Sequence, residues 1–185
     1  MTGVFWFLIE ILSSLLVSAC LLRALAFHVR LSSLNQVQRF LSAATDWLIR
    51  PLGKLIPRRR SVDLPSISAA VLICVVTAAL STVLFAGLER LAGAGMWALA
   101  FYWLCKWALY LLIGMLILQA VLSWVNPSAP IAPVLDLLTA PFLRPVRRFL
   151  PLLGGVDLSP LVLIIVAQLL LALIENLLLS AGGLR

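Results

Sequence analysis

Four long apolar runs dominate this 185-residue sequence and constrain what it can fold into. A helix that crosses a bilayer needs about 20 predominantly apolar residues, because the hydrocarbon offers no water to the backbone. The composition agrees, since 63% of the residues are hydrophobic, 11% are charged and the mean hydropathy is +1.14. Soluble domains carry about 25% charged residues, so the sequence predicts an all-α integral membrane protein.

The apolar runs set the boundaries of the predicted transmembrane spans. The third run starts near Met96 and, at about 1.5 Å per residue, is too long for one bilayer, so we place its span after Lys106. The first run is expected to stay in the mature protein, because residues 1–10 hold no Lys or Arg for the basic start of a signal peptide. The predicted spans cover about 4–27, 67–88, 107–125 and 158–179.

Basic residues are concentrated in the two segments that join paired spans. Seven lie between the first and second spans and three between the third and fourth, whereas the opposite side holds Arg90 and Arg185. Lys and Arg beside spans are retained in the cytoplasm. We therefore expect both basic segments in the cytoplasm and both termini outside it.

A sequence repeat at an offset of 94 relates the two basic segments. Residues 45–66 read TDWLIRPLGKLIPRRRSVDLPS, and residues 139–160 read TAPFLRPVRRFLPLLGGVDLSP. An Arg-Pro pair, a second proline and a Val-Asp-Leu sequence match without a gap. Each copy contains two spans, so both copies have the same orientation. We predict two parallel repeats, over residues 1–90 and 96–185, each made of a span, an amphipathic basic cytoplasmic segment and a span.

This twofold Arg-Pro pattern is similar to that of the YggT family of small bacterial inner-membrane proteins. The likeness is carried by Ser123-Trp124, by LRPVRRFLP at 143–151 and by GGVDLSP at 154–160, and it extends over nearly the whole chain. The resemblance implies a bacterial inner-membrane protein with links to osmotic or envelope stress, cell division and, in plastid relatives, cofactor assembly on membrane proteins. It implies no defined reaction.

Both basic segments space their apolar residues as a helix does, which predicts helices lying in the headgroup layer with basic residues near anionic phosphates. Prolines in both copies are expected to end these helices in fixed elbows. These prolines are Pro51, Pro57, Pro145 and Pro151. The basic residues either set the topology alone or bind lipid headgroups or a partner. The candidate contact residues are Arg50, Lys54, Arg144, Arg147 and Arg148.

Asp63 and Asp157 stand just before the second and fourth spans. A carboxylate at this position can accept hydrogen bonds from the orphan amides of the first helical turn, and proline is tolerated beside it. We therefore predict that both residues cap helices, and a cation or partner site is the alternative.

Small residues recur at every fourth position of the second span, from Ser66 to Ala86. In lipid, such a face allows two helices to approach each other closely. We expect this face to pack against the fourth span or against a second copy of the chain.

Ionisable residues inside the spans need an explanation, because an unpaired ion in the bilayer costs at least a few kcal/mol. An offset of 96 aligns Glu10 with Lys106, and Glu175 lies near the same end of the fourth span. We predict that these three form an ionic cluster that joins the repeats. An ion or proton site and separate snorkelling to the interface are the alternatives. Arg23 is interpreted as an arginine that snorkels to the cytoplasmic face.

The sequence favours an interaction protein over an enzyme. It has one histidine and no nucleophile-elbow, metalloprotease or P-loop pattern, and its three cysteines lack metal-ligand spacing. We expect no catalytic residue, cofactor, metal or nucleic-acid partner. The predicted function is an interaction or assembly factor whose partners are anionic headgroups, further copies of the chain or other membrane proteins. An oligomeric channel or transporter component, with Gln119, Gln168 and Asn176 along its path, is the alternative, and a membrane enzyme is the third.

Overall fold

The computed structural model describes residues 2–32, 35–56, 62–85, 87, 93–126, 128–149 and 157–180, and most of these residues are helical. These ranges contain six helices and no strand. The helices are α1 (Thr2–His28), α2 (Gln36–Leu55), α3 (Leu64–Phe85), α4 (Ala94–Val125), α5 (Ala132–Phe149) and α6 (Ser159–Ser180). Four of them, α1, α3, α4 and α6, are long and apolar enough to cross a membrane. The predicted all-helical membrane protein with four long apolar helices is confirmed.

The chain divides into two compact units. The first comprises Met1–Ala108 with Ile174–Arg185, and the second comprises Leu109–Leu173. Helices α1, α2 and α3 belong to the first unit and α5 to the second, while α4 and α6 contribute residues to both.

In the first unit, α3 packs its small-residue face against α1. Ala70, Cys74 and Ala78 on this face are buried, and the Thr77 hydroxyl is hydrogen-bonded to the Ser13 hydroxyl of α1 at 3.0 Å. The absence of bulky side chains lets the two backbones approach, as expected for helices in lipid. The helix that covers this face is α1, where the sequence analysis expected the fourth span or a second copy of the chain.

Helix α2 packs against both α1 and α3 through one stripe of residues, Leu41, Thr45 and Ile49. Asn35 begins the helix, because its side-chain oxygen accepts a hydrogen bond from the Val37 amide at 2.9 Å. Apolar side chains also point away from the protein, with Phe40 71% exposed and Trp47 64% exposed. These two residues give α2 a second apolar face that is largely exposed.

Pro51 and Pro145 do not end their helices, so this prediction is wrong. Pro51 lies inside α2, which continues to Leu55, and Pro145 lies inside α5, which continues to Phe149. Both prolines are exposed, so the lost backbone hydrogen bond falls on the outer face of each helix, where the helix is free to bend. Pro57 and Pro151 lie outside the described residues.

The helix bounds lie close to the predicted span bounds at α1 and α6 and differ from them at α3 and α4. Helix α4 is a single helix of 32 residues that begins at Ala94, and its length of about 48 Å exceeds the hydrocarbon thickness of about 30 Å. Helix α3 begins at Leu64 because proline fits its first turn and the Asp63 carbonyl accepts the amides of Ser66 and Ile67. The predicted end of this span, Leu88, lies outside the described residues.

Candidate functional site

A buried arginine joins α1 to α2 in the first unit. Arg23, whose side chain is 8% exposed, donates from Nη1 to the Thr45 hydroxyl at 2.8 Å and to Asp46 Oδ1 at 2.7 Å. The Thr45 hydroxyl in turn donates to the Leu41 carbonyl at 2.7 Å. Burial raises the pKa of the Asp46 carboxyl, but bonding and charge from Arg23 and then Arg50 outweigh burial and hold that pKa below 3.8. Asp46 therefore neutralises the charge of an arginine that belongs to the apolar helix α1.

A related contact joins α4 to α5 in the second unit. Gln119 donates from Nε2 to Asp136 Oδ1 at 2.5 Å, and its Oε1 lies 2.9 Å from the Thr139 hydroxyl. That hydroxyl is also 2.8 Å from the Leu135 carbonyl. Each span is thus fastened to the helix that follows it through a threonine that also bonds to its own backbone four residues earlier.

The end of α5 is tied to the start of α6 by an ion pair. Arg147 binds Asp157 Oδ2 through Nε and Nη2, each at 2.8 Å, and the Ser159 amide donates to Asp157 Oδ1 at 2.9 Å. Burial raises the pKa of the Asp157 carboxyl, but hydrogen bonding from Ser159 and then Arg147 outweighs burial and lowers that pKa. Asp157 therefore links the first amide of α6 to the basic end of α5.

Asp63 lies at the start of α3 and is buried. Its carboxylate accepts a hydrogen bond from the Ser66 hydroxyl at 2.6 Å, and its backbone carbonyl accepts the Ser66 and Ile67 amides. The Asp63 carboxylate thus binds a side-chain hydroxyl of α3, whereas the Asp157 carboxylate binds a backbone amide of α6.

A cavity of about 770 Å³ lies in the second unit among α4, α5 and the start of α6. Its polar lining includes Gln119, Asp136, Arg147 and Asp157, and its apolar lining includes Ile117, Val121, Leu161 and Ile164. Trp124 also lines the cavity and is 81% exposed, so the cavity is open to its surroundings. Its volume is in the range of small-molecule sites, which is about 300–1,000 Å³.

The predicted ionic residues lie in an aromatic cluster of the first unit. Lys106 Nζ is 3.5 Å from Glu10 Oε1, and Glu175 accepts a hydrogen bond from the Tyr102 hydroxyl at 2.7 Å. Lys106 also lies over the rings of Trp103 and Tyr102, 4.7 and 5.7 Å from their centroids. The structure brings Glu10 and Lys106 together directly and places Glu175 on the tyrosine beside them.

The basic residues that were predicted to contact lipid or a partner differ in whether they form ion pairs with other described residues. Arg50 is bound to Asp46 at 2.9 Å, and Arg147 is bound to Asp157. Arg144, Arg148 and Lys54 are exposed and form no ion pair within the described ranges. On α5, Arg144 and Arg148 are one helical turn apart and lie on one face.

Metal ligation finds no support in the part of the chain that is described. No three His, Cys, Asp or Glu side chains there are close enough to hold an ion. Cys20 and Cys74 are buried free thiols, and Cys105 is a half-buried free thiol. These cysteines pack as small side chains within the spans.

Comparison with known proteins identifies the family. A family model described as CCB3/YggT matches residues 2–84 and 98–178. The chain belongs to the CCB3/YggT family. The resemblance inferred from the Arg-Pro pattern is therefore confirmed.

Relatives in the CCB3/YggT family cover most of this chain. An uncharacterised protein in the proC 3'region of Vibrio alginolyticus is 34% identical over 163 residues, 88% of each chain. The uncharacterised protein YggT of Escherichia coli strain K12 is 33% identical over 132 residues, 71% of this chain and 68% of its own. An uncharacterised protein of Pseudomonas aeruginosa is 32% identical over 181 residues, 96% of this chain and 91% of its own. No solved structure matches the chain.

Two acidic residues of this CCB3/YggT chain were missed by the sequence analysis, which did not assign Asp46 or Asp136 to a site. A signal for both was present in the repeat. Arg23 aligns with Gln119 at the offset of 96, and a threonine recurs at the offset of 94. A polar residue in a span and a threonine shared by both copies indicate a contact. The acid follows the threonine by one residue in one copy and precedes it by three in the other, which are neighbouring positions on a helix.

Proposed function

We propose that this CCB3/YggT-family chain is a non-enzymatic interaction or assembly factor of the bacterial inner membrane that contributes to envelope or osmotic-stress homeostasis. Both basic helices lie on the cytoplasmic side and both termini lie outside. The stress link comes from the family resemblance alone, and the orientation comes from the distribution of Lys and Arg.

The exposed arginine pair on α5 carries this proposal. Arg144 and Arg148 project from a helix that is held near its middle by Thr139 and near its C-terminal end by the Arg147–Asp157 ion pair. A role in topology needs only positive charge, whereas a helix held at two points presents its two guanidiniums in a defined geometry. Guanidiniums of this kind bind carboxylates or phosphates in a bidentate manner. The arginine pair therefore suits an acidic segment of another membrane protein or anionic headgroups.

The proposed parallel repeats are supported by the two threonine contacts. Thr45 and Thr139 are 94 residues apart, and each links its helix to the preceding span and to its own backbone. An inverted copy would place the two basic helices on opposite sides of the membrane, where the positive charge of one would be disfavoured.

An oligomeric channel is less well supported by the contacts of its candidate residues. Gln119 is occupied by Asp136 and Thr139, and Glu10 is paired with Lys106. Side chains that are already hydrogen-bonded within one chain are poor hosts for a hydrated ion. The available contacts therefore favour an interaction protein.

Partner capture tests the proposal. The tagged full-length chain is purified in mild detergent, and co-purifying membrane proteins are quantified for the wild type and for Arg144→Gln/Arg148→Gln. We expect a defined partner whose recovery falls about tenfold, since two charge-assisted contacts are lost. The matched control is Arg39→Gln, which removes an exposed arginine from α2 and leaves recovery unchanged.

A second variant separates geometry from charge. Arg144→Lys/Arg148→Lys keeps the positive charge and the topology but removes the planar guanidinium fork. We expect it to leave membrane insertion unchanged and to restore partner recovery only in part. Unchanged recovery in the glutamine variant, or ion flux from the purified oligomer in liposomes, would overturn the proposal.

A further inference from the structure

Two amide side chains of α6 are exposed on one face of a helix that is apolar enough to cross a membrane. Gln168 lies about 14 Å along α6 from Ser159, near the middle of a helix about 33 Å long. Asn176 follows two turns later, and the small residue Ala172 lies between the two amides. All three residues are exposed, and their spacing of four places them on one face, which we call the amide face.

The amides of this face have no hydrogen-bond partner within the described ranges. An amide without a partner is costly in apolar surroundings, and a polar side chain in the middle of a span needs an explanation. Gln119, the glutamine of α4, differs in this respect, because it is bonded to Asp136 and Thr139 of its own chain. Gln168 therefore calls for a donor and an acceptor from outside the described chain.

The first repeat covers the equivalent face. At the offset of 94, the residues of the amide face align with Cys74, Ala78 and Thr82 of α3. Those three residues are buried, and α3 packs against α1. In the middle of α6 the buried residues are Ala167 and Leu171, which lie on another side of the helix. The surface that packs in the first repeat is therefore exposed in the second.

We propose that the amide face binds the same face of a second copy of this chain, so that two α6 helices form a parallel pair. Two copies with the same orientation in the membrane are related by a twofold axis along its normal, so equal positions of the two helices meet. An amide carries both donors and an acceptor, so each Gln168 satisfies the other. Ala172 lets the two backbones approach each other closely between the amides.

A second copy suits this face better than a lipid does. Acyl chains have no hydrogen-bonding groups, and the polar groups of a lipid lie at the edge of the hydrocarbon, whereas Gln168 lies near the middle of α6. A different membrane helix would need its own amide or hydroxyl at the same depth, which a second copy supplies by symmetry. Glu175 borders the face, but its carboxylate is bonded to Tyr102 of its own chain.

Disulfide crosslinking in membranes tests the pairing. Copies with two different tags are co-expressed as full-length chains in which alanine replaces the three native cysteines, Cys20, Cys74 and Cys105. Ala172→Cys should form a disulfide-linked dimer that carries both tags. Leu170→Cys is the matched control, because position 170 is exposed but lies on the opposite side of α6, and it should give about a tenth as much dimer or less.

Two variants test the role of the amide. In liposomes, energy transfer between fluorophores on Gly3→Cys measures the affinity of the dimer, and Gln168→Leu should weaken it about tenfold because the paired amides are lost. Gln168→Leu/Leu170→Gln keeps the composition of α6 but moves the amide to the opposite side, and it should not restore the crosslink at position 172. Neither variant should lower the unfolding midpoint of the monomer in detergent, since Gln168 has no partner within the described chain.

Three results would overturn the proposal. They are a chain that stays monomeric in liposomes, equal crosslinking at positions 170 and 172, and a crosslinked product that joins one tagged copy to a different protein. Unchanged affinity of Gln168→Leu would also contradict it, because the dimer would then form without the amides. The proposal does not rest on the proposed function, and the two can fail separately, because Arg144 and Arg148 of the partner test lie on α5.

Discussion

The guanidinium of Arg23 on α1 lies 2.7 Å from the carboxylate of Asp46 on α2, and the same nitrogen binds the hydroxyl of Thr45. This contact places a buried charge at the boundary between a span and the basic helix that follows it. Asp46 keeps the charge neutralised, and Thr45 fixes the direction of the side chain. The contact therefore sets how α2 is attached to the first span.

Replacing Arg23 by leucine should destabilise the first unit. Asp46 and Thr45 would lose their donor, and we expect a loss of about 2 kcal/mol, because removing one partner leaves the other poorly solvated. Arg23→Gln should be milder, since Gln119 serves the corresponding threonine in the second unit. Unfolding in detergent measures both variants, and equal stability of Arg23→Leu and the wild type would refute the role of this contact.

Acid should weaken the contacts of Asp46 and Asp157. Both carboxyls have a pKa below the ordinary 3.8 in the folded chain. Their contribution to the free energy of unfolding is therefore complete above about pH 5 and is lost as the pH falls through 3.8 and the lowered value. Midpoints of thermal unfolding between pH 7 and pH 3 should fall less steeply for Asp157→Asn than for the wild type. A parallel fall in both proteins would contradict this assignment.

Glu10 and Lys106 should show energetic coupling. Their side chains are 3.5 Å apart and partly buried. Removing the charge of either residue therefore leaves the other as an unpaired ion in a span. We expect Glu10→Gln and Lys106→Met each to destabilise the chain and the double variant to lose less than the sum, by about 1 kcal/mol. A double-mutant cycle in detergent measures the coupling. Strict additivity would show that the pair contributes nothing.

Enlarging a small residue on α3 should disrupt its packing with α1. Ala78 is fully buried, so Ala78→Leu overfills the contact, and we expect a loss of about 1–3 kcal/mol. Val76→Leu adds volume at an exposed position of the same helix and serves as the control. If both substitutions have the same effect on unfolding, the small-residue face is not a packing surface.

The four long helices and the family were predictable because both depend on local sequence. Apolar runs and the Arg-Pro pattern are read along the chain, and they require no knowledge of which helices meet. The bounds were less certain at α4, where the helix continues beyond one bilayer thickness from Ala94 to Val125. Hydropathy alone does not show where a helix of this length leaves the membrane.

The polar contacts were less predictable because they depend on helix rotation. Asp46 was not assigned to a contact, because only the position of α1 shows that it meets Arg23. The prolines were misread for a related reason, since their effect depends on which face of the helix is exposed. Pairing of Glu10 with Lys106 was suggested by their alignment at the offset of 96, whereas the placement of Glu175 on Tyr102 needed the side-chain geometry.

The most direct test of the account is thiol labelling in spheroplasts with a membrane-impermeant maleimide. Single cysteines replace Gly3, Lys54 and Arg144 in a chain without Cys20, Cys74 and Cys105, and Gly3 has open space around it. Positions 54 and 144 should label only after the inner membrane is opened, and position 3 should label in spheroplasts beforehand. Labelling of positions 54 and 144 from opposite sides would contradict two parallel repeats with their basic helices in the cytoplasm.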